Sequence, residues 1–153
     1  MTPKLTVELV PEGQWGANLR QALKKKDWDF LRKRKYKEAG HVCEICSGVG
    51  PKWPVECHEI WYYDDTMKVQ RLDGLVALCP PCHQVKHIGR SFAVGCGPET
   101  LHHMMEVNEW GMPQAEQYIQ EVFETWKERS KHKWILDITW IAQFDISVSE
   151  QSQ

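Results

Sequence analysis

Leu78-Cys79-Pro80-Pro81-Cys82-His83-Gln84-Val85-Lys86-His87 joins a Cys-x-x-Cys knuckle to two histidines four residues apart, and the knuckle has an upstream counterpart in Cys43-Glu44-Ile45-Cys46. Each knuckle offers two thiolates at the separation that tetrahedral zinc requires, so Cys43, Cys46, Cys79 and Cys82 are the expected ligands of one structural Zn²⁺. The alternative is two disulfides or four unrelated thiols. It is disfavoured because Met1 to Leu9 alternates polar and apolar residues instead of building a secretory apolar run, which points to the reducing cytoplasm. No run of about 18 apolar residues occurs, so no membrane partner is expected.

The 153 residues, 42% hydrophobic and 26% charged, suffice for one packed domain and exclude both a multidomain machine and wholesale disorder. Residues 41–90 are punctuated by Cys, His, Gly and Pro and are too poor in aliphatic side chains to hold together without a staple. They read as small strands and loops. Upstream, Leu5 to Val10 alternates as a short strand ended by Pro11-Glu12-Gly13. Ala17 to Ala39 then reads as one or two amphipathic helices closed by Gly40. Downstream, a helix is expected from Pro98 to Asn108, a turn at Trp110 to Pro113, and a helix from Gln114 to Ser130. A strand from Trp134 to Ile141 and a frayed tail from Ser147 to Gln153 follow. The fold class is α+β, with an N-terminal strand and basic helical segment (1–40), a knuckle-bearing core (41–92) and a C-terminal helical extension packed on it (93–153).

Between the knuckles lie 32 residues, among them Glu56-Cys57-His58-Glu59-Ile60-Trp61. If the second knuckle opens a helix, His83 and His87 share one face, as two ligands of one ion must. His102 and His103 are adjacent on a helix and point about 100° apart, so one is expected to face the core and one solvent rather than to chelate. With the paired knuckles, the His-Glu segment and Cys-x-x-Cys-His-x-x-x-His, residues 41–90 resemble the HNH endonuclease family, whose ββα-metal core is often stapled by such knuckles. The resemblance implies that His58 is the general base on a β-hairpin, that His83 binds the catalytic divalent cation from the following helix, and that His87 is a further ligand. Two positions depart from the family pattern. Cys57 stands where a metal-binding Asp or His is common; thiolate fits Zn²⁺ and suits Mg²⁺ badly, so either the catalytic ion (Mg²⁺, Mn²⁺, Ni²⁺ or Zn²⁺) is a borderline transition metal or Glu56, Glu59, Asp64 or Asp65 reaches it. Gly74 stands where the middle Asn that helps hold the family's loop is usual, so that either Gln70 or Asp73 substitutes or the position is dispensable.

These residue types suit phosphodiester hydrolysis on chemical grounds. A near-neutral imidazole can take the proton of an attacking water, and a divalent ion can stabilise the charge that develops on the phosphate and the departing oxygen. The resemblance implies products with 5′-phosphate and 3′-hydroxyl ends.

Residues 20–40 hold nine Lys/Arg against three Asp/Glu. Lys24, Lys25, Lys26, Arg32, Lys33, Arg34, Lys35 and Lys37, with Lys86 and Arg90 beyond the second knuckle, are the expected phosphate contacts. The partner is therefore nucleic acid, DNA ahead of RNA. Trp61, Trp110, Trp126, Trp134 and Trp140 sit in apolar patterns and are expected in the core. From residue 98 onward four Lys/Arg face ten Asp/Glu, so this region is expected to pack on the core or meet a protein partner. One site per chain favours a homodimer for cutting two strands. The competing readings are a non-catalytic zinc-ribbon nucleic-acid-binding module and a protein-interaction module with a degenerate core.

Overall fold

The structure, a computed structural model, describes residues 3–146. The chain forms α1 (Leu19–Ala22), α2 (Lys25–Glu38), β1 (Glu56–Asp64), β2 (Val69–Leu78), α3 (Pro80–Lys86), α4 (Ile88–Ala93), α5 (Gly97–Asn108), α6 (Met112–Arg129) and β3 (Ile135–Asp137). The expected tail from Ser147 lies outside the described residues. Among those described, no helix is long and apolar enough to cross a membrane.

The mixed α+β expectation holds, with local differences. The basic helical segment is two helices, broken where Leu23 turns extended (φ −104°, ψ 156°). α2 ends in a Schellman turn: Gly40 takes φ 67°, its N–H reaches Lys37 O, and the His41 N–H reaches Tyr36 O. β1 and β2 form an antiparallel hairpin from Glu56↔Leu78 to Asp64↔Val69, with β3 parallel on the outer side of β2. The register shifts at Ile60/Trp61, where Asp73 is the extra residue of a bulge. That shift lets Leu72 and Leu75, three apart, enter the same core with Leu19, Trp28, Leu31 and Ile141. A second core gathers Leu5, Val7, Val55, Leu78, Val85, Ile88 and Met104 around the knuckles.

Two expected strands are corrected. Leu5 to Val10 joins no sheet, because side chains of the C-terminal helices satisfy its backbone. Asn108 brackets Leu5 through both amide atoms (2.8 and 2.9 Å), Tyr118 accepts the Val7 N–H (2.9 Å), and Trp126 donates to Val10 O (2.9 Å). The Glu8 N–H caps the Lys86 carbonyl at the end of α3 (3.1 Å), a group the helix itself leaves unpaired. The closing strand is only Ile135–Asp137, and Thr139–Phe144 turns into a 3-10 helix that puts Ile141 in the core.

Candidate metal centre

The second knuckle and α3 are built together. Cys79 is extended (φ −62°, ψ 155°), and Pro80 and Pro81 occupy the first turn, where a missing N–H costs nothing. His83 N–H then makes the first helical bond to Cys79 O (3.0 Å). In the first knuckle Ser47 adopts φ 66°, and the N–H groups of Cys46 and Gly48 point at the sulfurs of Cys43 (3.5 Å) and Cys46 (3.4 Å).

One sulfur from each of Cys43, Cys46, Cys79 and Cys82 lies within 4.8 Å of the others, and Cys46 Sγ is 3.6 Å from Cys79 Sγ. All six cysteines are free, so the two-disulfide alternative finds no support. A hydrogen bond from Cys82 and backbone N–H groups hold the Cys43 thiol down to about 4. The same hydrogen bond, then burial, raises Cys82, and burial pushes Cys79 up to about 12. One thiolate thus suppresses the next, and sulfurs packed this closely all ionise only around a cation. The donor set fits a metal such as zinc. His103 Nε2 stands 3.2 Å from Cys82 Sγ while His102 is exposed, so the pair divides as expected. The approach of His103 to the cysteine cluster had no sequence signal.

The second cluster is His58, His83 and His87, one ring nitrogen from each lying within 4.8 Å of the others. The ring centroids form a nearly equilateral triangle of 5.2, 5.3 and 5.0 Å, with planes inclined at 68°, 70° and 65°. β1 supplies His58, 5% exposed; α3 supplies His83, and the break between α3 and α4 supplies His87. His83 Nδ1 is 2.9 Å from Glu56 Oε1, so Nδ1–H donates to the carboxylate and the Nε2 lone pair is left available. Burial lowers the pKa of His83 and takes that of His87 to about 4, with the neighbouring imidazoles adding to the effect. Both are neutral at pH 7, the form that ligates a cation.

His58 Nε2 is 3.3 Å from Glu8 Oε1, a residue that sequence reading did not place near the site. Lys86 is corrected as a phosphate contact. It is 5% exposed, and its ammonium lies 2.5 Å from Glu8 Oε2 and 2.7 Å from Thr6 Oγ1. Burial opposes ionisation of Glu8, but the hydrogen bond to His58 and the Lys86 charge outweigh it and hold the carboxyl at about 2.

Cys57 is corrected as a ligand. Neighbours on a strand point to opposite faces, and Cys57 packs on the Leu19–Trp28 core, where burial pushes its thiol up to about 12. Of the carboxylates weighed in its place, only Glu56 meets a histidine. Glu59 accepts the Leu19 N–H (2.9 Å), Asp64 accepts the Thr66 and Met67 N–H groups of the hairpin turn, and Asp65 pairs with Arg129 (2.9 Å). Gly74 lies in β2 opposite Ile60. Neither substitute for it approaches the histidines: Gln70 is buried against Gln14 (3.1 Å), and Asp73 pairs with Arg71 (2.9 Å).

The three histidines open on a cavity of about 860 Å³, also lined by Trp15, Trp28, Trp61, Trp126, Arg20 and Arg90. Trp126 is therefore a half-buried cavity wall rather than core, whereas Trp61 lines the cavity and also packs, like Trp140, against the core that holds Leu72; Trp110 packs against the other core, and Trp134 is buried against Tyr63 (5.4 Å between centroids). Along α2, Lys24, Lys26, Lys33 and Lys37 are exposed and make no ion pair among the described residues. Lys25 and Arg32 share Asp29, Arg34 pairs with Glu38 and lies 4.8 Å over the Phe144 ring, and Lys35 is half-buried on Glu44 (2.9 Å). No protein-family model, no curated protein and no solved structure matches the chain.

Proposed function

We propose that the chain is a metal-dependent endonuclease that hydrolyses phosphodiester bonds of nucleic acid, with DNA as its expected substrate and zinc held by Cys43, Cys46, Cys79 and Cys82. The observation that carries this reading is the convergence of His58, His83 and His87. His83 and His87, neutral and with a lone pair each, would hold the catalytic cation. When bound, such an ion stabilises negative charge on the phosphate and the leaving oxygen. The antiparallel hairpin β1–β2 followed by α3 carries His58 on a strand and His83 on the next helix, the order expected of the HNH resemblance.

His58 is the base in this reading. With Nε2–H donating to Glu8, Nδ1 keeps its lone pair and can accept the proton of an attacking water. Glu8 then stabilises the imidazolium that results. Lys86 keeps Glu8 ionised, so the carboxylate accepts from His58 instead of competing with it for a proton. Glu56 fixes the orientation and tautomer of His83.

The test is nicking of supercoiled plasmid and cutting of labelled oligonucleotides with Mg²⁺, Mn²⁺, Ni²⁺ or Zn²⁺ in turn. His58→Ala is expected to lose about 10²- to 10⁴-fold in rate while still binding substrate. No cleavage by the parent with any of these ions, or full activity in His58→Ala, contradicts the reading.

A further inference from the structure

Two tryptophans beside the histidines are fixed through a single oxygen. Trp15 Nε1 and Trp126 Nε1 both donate to Val10 O, at 3.0 and 2.9 Å. Their one polar edge is satisfied there, and both rings line the cavity that holds His58, His83 and His87. Trp15 is 62% exposed, which leaves much of its indole surface open to a partner at the cavity wall. Two guanidiniums complete the wall. Arg20 and Arg90 are exposed and make no ion pair among the described residues, while the carboxylates that share the cavity are engaged, Glu8 by Lys86 and Glu59 by the Leu19 N–H. With Glu8 offset by Lys86, two guanidiniums share the cavity with one carboxylate, Glu59, so it offers aromatic faces together with an excess of positive charge.

A cavity of about 860 Å³ falls in the range that encloses a drug-sized molecule, about 300 to 1,000 Å³. A stacked duplex cannot use such walls, because its base faces are covered by neighbouring base pairs. An unpaired nucleotide can, with its base on an indole and its phosphates toward arginine. Resting on the nuclease reading above, we infer that the substrate is a single-stranded or unpaired segment of nucleic acid, with a base seated on Trp15 and the adjacent phosphate drawn to Arg20 and Arg90. The exposed lysines of α2 then serve the flanking backbone.

The experiment is a titration of the full chain at low ionic strength, without added divalent cation, against oligothymidylate and against a duplex of equal length, read by tryptophan quenching and by anisotropy of the labelled strand. Oligothymidylate is expected to quench and to bind at least about tenfold more tightly than the duplex, and Trp15→Ala to lose about tenfold for the single strand alone. Trp15→Phe, which keeps an aromatic face, is expected to restore most of that loss. Duplex binding equal to or tighter than single-strand binding, or no effect of Trp15→Ala, overturns the inference.

Cleavage with added cation separates the two proposals. Cutting of duplex but not of oligothymidylate removes the cleft assignment and leaves the nuclease standing. Trp15-dependent binding of oligothymidylate that no cation converts to cleavage removes the nuclease and leaves the cleft assignment.

Discussion

Glu8 and His58, fifty positions apart in the chain, meet with Oε1 and Nε2 3.3 Å apart, and Lys86 closes the group from α3. The side chains of His58 and Lys86 are each 6% exposed, so removing the carboxylate strands a buried ammonium. Glu8→Gln keeps the shape and is expected to cost about 3 kcal/mol of stability by urea denaturation. A cost below a few tenths would mean that the pair contributes nothing.

The same carboxylate has a pH signature. Its pKa falls from 4.5 to about 2 on folding, so its stabilisation is complete above pH 4.5 and disappears as pH drops through about 2. Lys86 and His58 face Glu8 directly and His87 lies beyond them, and the first two are coupled to the carboxylate, so the comparison of wild type with Glu8→Gln is read on the acid limb, where the carboxylate itself takes up its proton. The stability gap is expected to close between about pH 4.5 and 2. A gap as large at pH 2 as at pH 4.5 contradicts the assignment.

Removal of the metal from the four cysteines should dismantle the part of the core they hold. Zinc at such a site contributes on the order of 10 kcal/mol of apparent folding free energy, as much as a small domain possesses. A chelator is expected to release one zinc and to collapse circular dichroism, and Cys79→Ser to do the same without chelator. An unchanged spectrum after complete zinc release contradicts a structural role.

Lysines of similar promise in the sequence should separate by experiment. Lys26→Ala, Lys33→Ala and Lys37→Ala are expected to leave stability unchanged and to weaken nucleic-acid binding. For every phosphate no longer neutralised, the slope of log K against log salt falls by about 0.9 on duplex or about 0.7 on single strand. Lys86→Ala is expected to do the reverse, lowering the melting temperature with no change in salt slope.

At Gly50 a Cβ would lie 2.3 Å from Trp53 O and 2.6 Å from Pro80 Cδ, backbone and ring atoms that cannot step aside. Gly50→Ala is expected to cost about 1 to 3 kcal/mol and to loosen the second knuckle, seen as faster zinc release to chelator. Zinc release at the wild-type rate would show that this turn does not support the knuckle.

The parts of the site that were legible in the sequence are those encoded by short spacing. Cys-x-x-Cys and His-x-x-x-His each bring ligands together within one turn of chain, and their geometry follows from local structure. Glu8 was illegible because its position depends on Asn108, Tyr118 and the end of α3, partners from 78 to 111 residues away, none of which the pattern at Leu5 to Val10 announces. Lys86 was misplaced because charge alone does not say which face of a helix turns inward. The weakening of the basic run was partly visible in advance: Asp29 and Glu38 stand four residues after Lys25 and Arg34, and both pairs form. Trp134 to Ile141 overran because a run of apolar residues reads alike as strand or as a buried turn.

Catalysis of the proposed kind requires a second cation, distinct from the one among the cysteines and bounded by His58, His83 and His87. Anomalous scattering from crystals grown with Zn²⁺, Ni²⁺ or Mn²⁺ tests this most directly. Two peaks are predicted, one among the four cysteine sulfurs and one beside the three imidazoles, the second abolished in a His83→Ala, His87→Ala double variant while the first persists. A single peak at the cysteines under all three ions contradicts the account.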